Sequence, residues 1–394
     1  MNRIYLDHAA TTYVKPAVLE AMLPYFTEKF GNPGGVHSYS REAKAALDEA
    51  REQLARALHA QRDEIYFTGG GSESDNLLIR GAAKAYRDKG KHLITTAIEH
   101  HAVLHTMEAL EKEGYQVTYL PVDSEGFVTP QQVEAAIRPD TSLVSVMFAN
   151  NEIGTIEPVS EIARVCRDHG VLFHTDAVQA FGSVPIDVAE MGIDLLSLSG
   201  HKLYGPKGIG AMYIRKGVRL APILFGGAQE RNRRPGTENI PGAVGLGAAA
   251  ELAVAHMEEN AARISALRDR LIDGVLERIP FTRLNGPREN RLPNNASFCF
   301  EFVEGEGLLL MLDMKGIAGA SGSACTSGSL DPSHVLLALG LSHEIAHGSL
   351  RLTLGTDTTQ QEIDTVLEVL PPIVERLRMM SPLFNQRKDG LRHV

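Results

Sequence analysis

The chain of 394 residues alternates regularly between short apolar runs and helical patterns, and this alternation restricts its fold more than any other feature. The apolar runs are short, bounded by turn residues and rich in Val, Ile and Leu, which is typical of buried strands. Strands that alternate with helices form a mostly parallel sheet with helices on both faces. The sequence therefore predicts a large α/β domain with these strands: 65–68, 92–96, 116–120, 142–148, 171–175 and 195–198.

The order of elements changes in the last third of the chain. A helical, alanine-rich pattern from about Asn239 to Glu277 is long enough to bridge two domains. Beyond it, strand patterns at 296–302 and 349–354 enclose a helix at 307–314, and a terminal helix covers 360–379. A mixture of this kind predicts a second, smaller α+β domain.

Composition excludes several classes of protein. The net charge is −10 and no run of basic residues stands out, so neither nucleic acid nor an anionic membrane is an expected partner. No apolar stretch approaches the ~20 residues that cross a bilayer, and the N-terminus has no secretory pattern. Three widely spaced cysteines, Cys166, Cys299 and Cys325, favour a reducing cytoplasm over a disulfide framework.

Polar residues follow several of the predicted strands at the point where each strand ends. In open α/β sheets, ligands bind outside the carboxyl ends of the strands. The residue types found there suit a charged ligand that carries a phosphate and a ring. They are Thr68, Gly70, Gly71, Ser72, His100, Asn150, Asn151, Asp176, Gln179, Ser199, His201 and Lys202.

The glycine-rich stretch 69–72 turns from a strand into a helix. Free backbone N–H groups and the helix dipole would make an anion site there, although a plain glycine turn explains the pattern equally well. Ser74 stands where a dinucleotide-binding motif has its last glycine, and the lysine of a P-loop is absent. A dinucleotide or a nucleoside triphosphate is therefore disfavoured.

Lys202 comes directly after the apolar run 195–198 and admits two interpretations. It is either a solvated loop lysine or an amine held in a cleft, with a lowered pKa, to form a Schiff base. Asp176 ends the preceding strand, where a carboxylate is costly without a cationic partner. The pyridinium nitrogen of pyridoxal phosphate is such a partner, and a lysine Schiff base completes that arrangement. Asp176 therefore favours the second interpretation.

Histidine-rich patterns in two places do not amount to a metal site. His100, His101 and His105 lack a carboxylate or cysteine at suitable spacing. The stretch 343–347 formally matches H-E-x-x-H, but a strand pattern follows at once where a zinc motif needs a continuous helix. We expect no metal at either place.

Cys325 and Arg351 each have a plain and a functional interpretation. Cys325 lies in a run of small residues, 321–329, that cannot build a core, so the sequence predicts a mobile exposed loop and a candidate reactive thiol. Cys166 and Cys299 stand among apolar residues and are expected to be structural. Arg351 is either an edge-strand arginine that faces water or a bidentate clamp on a substrate carboxylate.

Together these residues resemble the group I cysteine desulfurases of the nitrogen-fixation and iron–sulfur-cluster assembly type. These enzymes belong to the class V aminotransferase family, with an aspartate aminotransferase-like fold of type I that binds pyridoxal phosphate. The resemblance covers nearly the whole chain. Its most specific parts are Glu99-His100-His101-Ala102-Val103, Asn150-Asn151-Glu152-Ile153-Gly154, Ser199-Gly200-His201-Lys202, Arg234-Pro235-Gly236-Thr237-Glu238-Asn239 and Ser321-Gly322-Ser323-Ala324-Cys325.

The resemblance implies a large cofactor-binding domain at 15–258. The small domain would comprise 1–14 and 259–394 and carry the loop of the catalytic cysteine, about 321–332. Lys202 would form the Schiff base, His100 would stack on the pyridine ring and take part in catalysis, and Cys325 would be the nucleophile that forms a persulfide. Asp176 would hold the ring nitrogen and Gln179 the phenolic oxygen. The phosphate would be held by Gly71, Ser72, Ser199 and His201, and Gly200 would also contact the cofactor. Thr237 would reach the phosphate of the other subunit. Asn151 and Arg351 would bind the substrate, and Asn151 would contact the cofactor as well.

The implied reaction converts L-cysteine to L-alanine and passes the persulfide sulfur to acceptors for iron–sulfur cluster assembly or tRNA thiolation. A homodimer and a scaffold protein or other acceptor are the expected partners, and Cys325 could transiently share a cluster with the scaffold. Three alternatives remain at this stage. They are a selenocysteine lyase, a transaminase on the same fold, and a sulfur-transfer docking platform with little turnover of its own.

Overall fold

The computed structural model describes residues 3–322, 332–382 and 384. The catalytic cysteine that the sequence predicts, Cys325, lies outside them. The helices and strands follow in chain order. They are β1 (Ile4–Tyr5), α1 (Pro16–Met22), α2 (Pro24–Thr27), α3 (Ser38–Leu58), β2 (Ile65–Thr68), α4 (Gly71–Ala85), β3 (His92–Thr96), α5 (His101–Lys112), β4 (Gln116–Leu120), α6 (Pro130–Ala136), β5 (Thr141–Ser145), α7 (Val159–Asp168), β6 (Leu172–Asp176), β7 (Leu195–Ser199), β8 (Gly210–Ile214), α8 (Gln229–Asn232), α9 (Ile240–Ala255), α10 (Met257–Arg278), β9 (Thr282–Leu284), β10 (Asn295–Phe300), α11 (Gly305–Asp313), β11 (Ile317–Ala318), α12 (His334–Ala338), α13 (His343–His347), β12 (Ser349–Thr353) and α14 (Gln360–Met380).

A seven-stranded sheet forms the centre of the large domain, in the order β2-β8-β7-β6-β5-β3-β4. The strands from β7 through β4 in that order pair in parallel, which confirms the predicted mostly parallel sheet. β8 pairs antiparallel with both β7 and β2. The sequence did not predict β8, because its five residues begin with glycine and follow a glycine-rich turn that masks the strand pattern.

The central strands are buried along their whole length because helices cover both faces of the sheet. Residues of α4 and α5 pack on one face, whereas α3, α7 and α9 contribute to the core on the other. Phe173 on β6 is among the largest side chains that are fully buried. Full burial of such a side chain contributes about 1.5–3 kcal/mol. Because helices pack on both faces, the sheet is held rigidly and the ends of its strands have fixed positions.

The smaller α+β part contains an antiparallel sheet in the order β12-β10-β9. Its core joins Phe298 and Phe300 of β10 to residues of α10, α11 and α14. The N-terminal strand β1 pairs in parallel with β11. We therefore propose that the first residues of the chain belong with the small domain, as the resemblance implies.

Two predicted helices are each broken in the structure. The proline at position 16 and the residue pattern after it predict one helix from Pro16 to about Phe30. The structure ends α1 at Met22 and begins α2 at Pro24, whose backbone nitrogen cannot donate a hydrogen bond. The long pattern 239–277 divides at His256 into α9 and α10, which are bent by 70°. In the described part of the chain, no single helix is long and apolar enough to cross a membrane. Within the same described residues, this bent pair is the only one that is long and apolar enough when its two helices are taken together.

Smaller differences concern helix caps. α3 begins at Ser38, and its N-cap is His37, whose Nδ1 accepts a hydrogen bond from the backbone N–H of Ser40 at 3.3 Å. The sequence predicts Ser38 itself as the cap, because serine is a common N-cap residue. A histidine can replace a hydroxyl here because an unprotonated ring nitrogen accepts from the free N–H groups of the first turn.

Candidate active site

The site lies where β5, β6 and β7 end, side by side at the carboxyl edge of the sheet. Asp176 is the last residue of β6 and Ser199 the last of β7. The short helical turn Gly200–Lys202 follows β7 directly, so Asp176 and Lys202 lie at neighbouring strand ends, as predicted. Adjacent parallel strands thus bring together two side chains that are separated along the chain by residues 177–201.

Lys202 is half-buried beneath the N-terminal segment 9–12. Its Nζ donates hydrogen bonds to the backbone carbonyls of Ala9 and Ala10, the second at 2.9 Å. Thr12 Oγ1 donates to the carbonyl of His201 at 2.9 Å and holds the same segment to the turn. The N-terminal segment therefore shields the lysine from solvent. This favours the interpretation of Lys202 as an amine held in a cleft, where it can form a Schiff base.

His100 is the N-cap of α5 and is a neutral imidazole at ordinary pH. Its Nδ1 accepts from the backbone N–H of Ala102 at 3.1 Å, so the ring proton belongs on Nε2. Burial and, to a smaller extent, the charge of Lys202 together lower the pKa of His100 to about 4. This shift shows that the imidazole and the ammonium lie in one electrostatic environment.

Asp176 is a buried carboxyl whose Oδ1 accepts from the backbone N–H of Val178 at 2.9 Å. Burial raises the pKa of Asp176 to about 6, although the Val178 bond and the charge of Lys202 both lower it. A cation bound against this carboxyl would favour its ionised form. A protonated pyridine nitrogen meets that requirement, so this donor set fits the ring of pyridoxal phosphate.

The predicted glycine turn forms a cradle at the start of α4. Gly70 has a φ of +152°, and a Cβ on Gly71 would lie 2.7 Å from Val178 Cγ2, so both positions need glycine. Ser72 is exposed in the first turn of the fifteen-residue helix. Backbone N–H groups there can bind an anion, which fits a phosphate.

The other predicted cofactor residues lie around these groups. Ser199 is buried at the end of β7, and Gly200 packs so tightly that a Cβ would lie 2.8 Å from the carbonyl oxygen of Pro206. His201 Nδ1 lies 3.1 Å from Thr11 Oγ1, and Gln179 Nε2 donates to the carbonyl of Ala9 at 2.9 Å. Burial lowers the pKa of His201 to about 4.

Arg351 is buried at 2% exposure and does not face water. Its Nη1 donates to the carbonyl of Asn151 at 3.1 Å, and its Nη2 donates to Asp7 Oδ1 at 2.9 Å. Its buried Nε has no hydrogen-bond partner among the described residues. The structure therefore excludes the interpretation that Arg351 faces solvent. It also places Arg351 against Asn151, the other residue that is expected to bind the substrate.

Glu152 and Ser333 form a buried contact that the sequence analysis did not single out. Ser333 Oγ donates to Glu152 Oε2 at 2.5 Å and also caps α12. Burial raises the pKa of Glu152 to about 7, whereas the Ser333 bond and the charge of Arg351 lower it. This contact joins the turn after β5 to the N-terminus of α12.

Histidines gather beside the site without forming a metal centre. The ring of His101 stacks on His105, with centroids 4.9 Å apart, and lies 4.7 Å from His334. No cluster of three or more ligating side chains suits a metal ion within residues 3–322, 332–382 and 384. The H-E-x-x-H stretch forms only the five-residue helix α13, immediately before β12.

Cys166 and Cys299 are buried, as predicted, and burial raises the pKa of each thiol. Both are free cysteines. The raised pKa values indicate poor thiolate formation, so neither cysteine replaces the predicted nucleophile.

Thr237, which the resemblance assigns to the cofactor phosphate of the other subunit, is exposed on the surface of the large domain.

Three buried carboxyls near the site were missed from the sequence: Asp75, Glu99 and Glu152. Burial raises the pKa of Glu99 to about 8. Asp75 could have been noticed, because it lies four residues after Gly71, on the face of α4 that continues into Leu78 and Ala82. The other two lie in loops, where periodicity gives no signal.

Comparison with known proteins gives a full-length match. The model of the family described as aminotransferase class-V matches residues 4–366. A protein of Clostridium botulinum named "Cysteine desulfurase IscS" is 59% identical over 387 residues, which is 98% of each chain.

Solved structures agree with this match. A structure titled "NIFS-LIKE PROTEIN" has a TM-score of 0.89 and 39% identity, and the match covers 96% of this chain and all of that one. A structure titled "SspA in complex with cysteine" has a TM-score of 0.80 and 40% identity, over 91% of this chain and all of that one.

Proposed function

The chain belongs to the class-V aminotransferase family and acts as a cysteine desulfurase, and we propose that it does so with pyridoxal phosphate and with Cys325 as the sulfur acceptor. The observation that carries this proposal is the meeting of Lys202, Asp176 and His100 at one strand edge. Burial shifts the pKa of both neighbours most strongly, and the charge of Lys202 acts on each of them. The 59% identity across the chain supports the same reaction.

The cofactor would be held by groups already in place. Asp176 would bind the ring nitrogen, His100 would stack on the ring and Lys202 would attach covalently through Nζ. The phosphate would lie at the N-terminus of α4 with Gly71 and Ser72, with Ser199, Gly200 and His201 nearby. Gln179 would reach the phenolic oxygen. Asn151 would contact the side of the cofactor that faces the substrate. Thr237 would reach the cofactor phosphate of the other subunit.

When bound, pyridoxal phosphate supplies an electron sink that stabilises negative charge at the substrate Cα. Arg351 would orient the substrate through its carboxylate, with Asn151 beside it. Lys202 Nζ would take the Cα proton as general base. His100, with its proton on Nε2, is a neutral group that can pass a proton to or from the substrate thiol.

The sulfur atom of the substrate would then move from its carbon atom to the thiol of Cys325. The C–S bond of L-cysteine breaks, an S–S bond forms to Cys325 Sγ, and the products are L-alanine and an enzyme persulfide. We propose that the persulfide sulfur goes to acceptors for iron–sulfur cluster assembly or tRNA thiolation. The scaffold or other acceptor is the proposed partner, and the two buried free thiols support the proposed cytoplasmic location.

An assay of alanine release tests the proposal. Purified protein is incubated with L-cysteine and a reductant, without a keto acid, and both alanine and sulfide are measured. We expect equal amounts of each, and at least a tenfold loss of sulfide release in Cys325→Ser. Cys166→Ala is the matched control and should keep its activity. Turnover that needs a keto acid would identify a transaminase instead.

The proposed homodimer is supported by exposed apolar side chains in the segment 19–39 and in the loop before α8. The most exposed of them are Val36 at 90%, Phe225 at 84%, Phe30 at 66% and Phe26 at 57%. Apolar patches of this kind mark protein interfaces. Phe26→Asp should therefore shift the sedimentation coefficient towards that of the monomer. Met314→Asp, at an 80% exposed position in the small domain, is the control.

A further inference from the structure

Asp75 is a buried carboxyl on the inner face of α4 that the reaction described above does not use. Its exposure is 1%, and α4 packs there against β6 and β7. Ser197 of β7 lies close enough to the carboxyl to lower its pKa. His174 Nε2 of β6 lies 3.6 Å from Asp75 Oδ1, and this buried oxygen has no hydrogen-bond partner among the described residues. Ser197 is also the register partner of Asp176. Asp75 therefore lies behind the strand pair that ends in the proposed cofactor carboxylate.

A chain of buried polar groups connects these residues. Ser145 Oγ lies 2.8 Å from His174 Nδ1, and His174 Nε2 lies 3.1 Å from Ser197 Oγ. All three side chains are fully buried. Burial lowers the pKa of His174 to about 3, so the ring is neutral and cannot compensate a negative charge on Asp75.

The other ionisable groups that face Asp75 are acidic. Asp176 of β6 and Glu99 of the loop before α5 both add negative charge, and burial together with Asp176 raises the pKa of Asp75 well above its usual range. The ammonium group of Lys202 acts on Asp176. Two coupled buried carboxyls beside a single cation share one negative charge, because the second ionisation has no partner.

We propose that Asp75 is a positioning residue: an uncharged carboxylic acid that completes the chain through Ser197 and His174 and so leaves the negative charge on Asp176. This inference rests on the proposed function, since Asp176 is the group placed against the ring nitrogen. Asp75 itself acts only through Asp176.

The hydrogen-bond directions fit this assignment. If His174 carries its proton on Nε2, it donates to Ser197 Oγ, and Ser197 donates to the Asp75 carboxyl. If the proton is on Nδ1, it goes to Ser145, Ser197 donates to Nε2, and the Asp75 hydroxyl donates to Ser197. A neutral acid serves in both cases, and so does an amide, whose N–H groups and carbonyl can take the same two roles.

The test compares three holoenzymes with wild type: Asp75→Asn, Asp75→Leu and, as a control on the exposed face of α4, Lys84→Ala. The visible absorbance band of the bound cofactor is titrated against pH, and kcat and KM are measured for L-cysteine. For Asp75→Asn and Lys84→Ala we expect a titration midpoint within about 0.3 pH unit of wild type. For Asp75→Leu, we expect a shift of about one unit or more and at least a tenfold loss of kcat with little change of KM.

A midpoint shift of one unit in Asp75→Asn would overturn the proposal, because it would show that Asp75 carries a charge. An Asp75→Leu protein that matches wild type would also overturn it, because Asp176 would not need support. If Asp75→Leu fails to fold, the Asp75→Asn titration and a measurement on the cofactor-free protein decide.

That second measurement is the pH dependence of thermal unfolding of the cofactor-free wild type and Asp75→Asn. A raised folded-state pKa gives stability that is present below the unfolded pKa and is lost as pH rises through the folded value. The midpoint of Asp75→Asn should therefore rise relative to wild type as pH increases, and a constant difference would contradict an uncharged Asp75. A wild type without any cofactor band would sink the proposed function but leave this profile interpretable.

Discussion

Two sides of the site are built in opposite ways. The sheet side, defined as Asp75, His174, Asp176 and Ser197, comes from a helix and two adjacent strands of one domain. The clamp side, defined as Asp7, Asn151, Glu152, Ser333 and Arg351, combines the N-terminal segment, a loop after β5 and the small domain. The sheet side holds two acids, and the charge of Lys202 acts on one of them, Asp176, whereas the clamp side surrounds a guanidinium.

The two sides differ in the physical effect that sets the protonation of their ionisable groups. On the sheet side, desolvation dominates, so the pKa of each acid rises and the pKa of His174 falls. On the clamp side, Arg351 is ion-paired with Asp7 and bonded to a backbone carbonyl. A neutral isostere should therefore be tolerated at Asp75 on the sheet side, while changes at the guanidinium should alter substrate binding.

The largest effect is expected at Lys202, whose charge acts on the sheet side. Lys202→Ala removes both the covalent attachment and the general base, so kcat should fall by about 10³-fold or more. The visible cofactor band should disappear, while the thermal unfolding midpoint of the apoprotein changes little. Lys207→Ala, an exposed lysine close by, should behave as wild type. A variant at Lys202 that kept the band would remove this assignment.

Glu152 tests whether desolvation can prevail even on the clamp side. Its pKa is raised to about 7, so its contribution to stability is present below pH ~4.5 and is lost as pH rises through about 7. Between pH 5 and 8 the wild type should lose up to about 3 kcal/mol more than Glu152→Gln. Chemical denaturation at both pH values measures this loss, and parallel profiles would show that Arg351 keeps Glu152 ionised.

Arg351→Lys keeps the charge of the clamp side but loses the planar fork. A hydrogen bond to a charged group is worth about 1.5–3 kcal/mol, so KM for L-cysteine should rise about 10- to 100-fold while kcat changes less. Steady-state kinetics measure the split between the two constants. Arg283→Lys on β9, where the arginine bonds to the Ser124 carbonyl, is the control. A loss confined to kcat would argue against a carboxylate clamp.

The smallest effect is expected at Asp7. Asp7→Asn keeps an oxygen that can accept from Arg351 Nη2 but removes a negative charge that would repel a substrate carboxylate. Because Asp7 is 21% exposed, the change should be below about 1 kcal/mol, and KM should fall by less than about fivefold. A tenfold rise in KM would mean that the ion pair itself positions the guanidinium.

Much of the sheet side could be predicted from the sequence. The apolar runs gave β6 and β7 within one residue, and the polar residues after them marked Asp176, Ser199 and Lys202 as neighbours. Two predictions of single helices were wrong, because a residue pattern alone does not show that the backbone breaks before Pro24 and at His256. β8 has the same five-residue length as β6 and β7 but was missed, because it starts with glycine and follows a glycine-rich turn.

The sequence by itself determined the alternation of strands and helices, and with it the sheet and the edge where Lys202 lies. Only the tertiary structure decided that Asp7 meets Arg351, that Ser333 meets Glu152 and that Asp75 stands behind Asp176. Periodicity is a local property of a few residues, whereas contacts between distant segments depend on the whole packing. The protonation of a buried acid depends in addition on the water that packing removes.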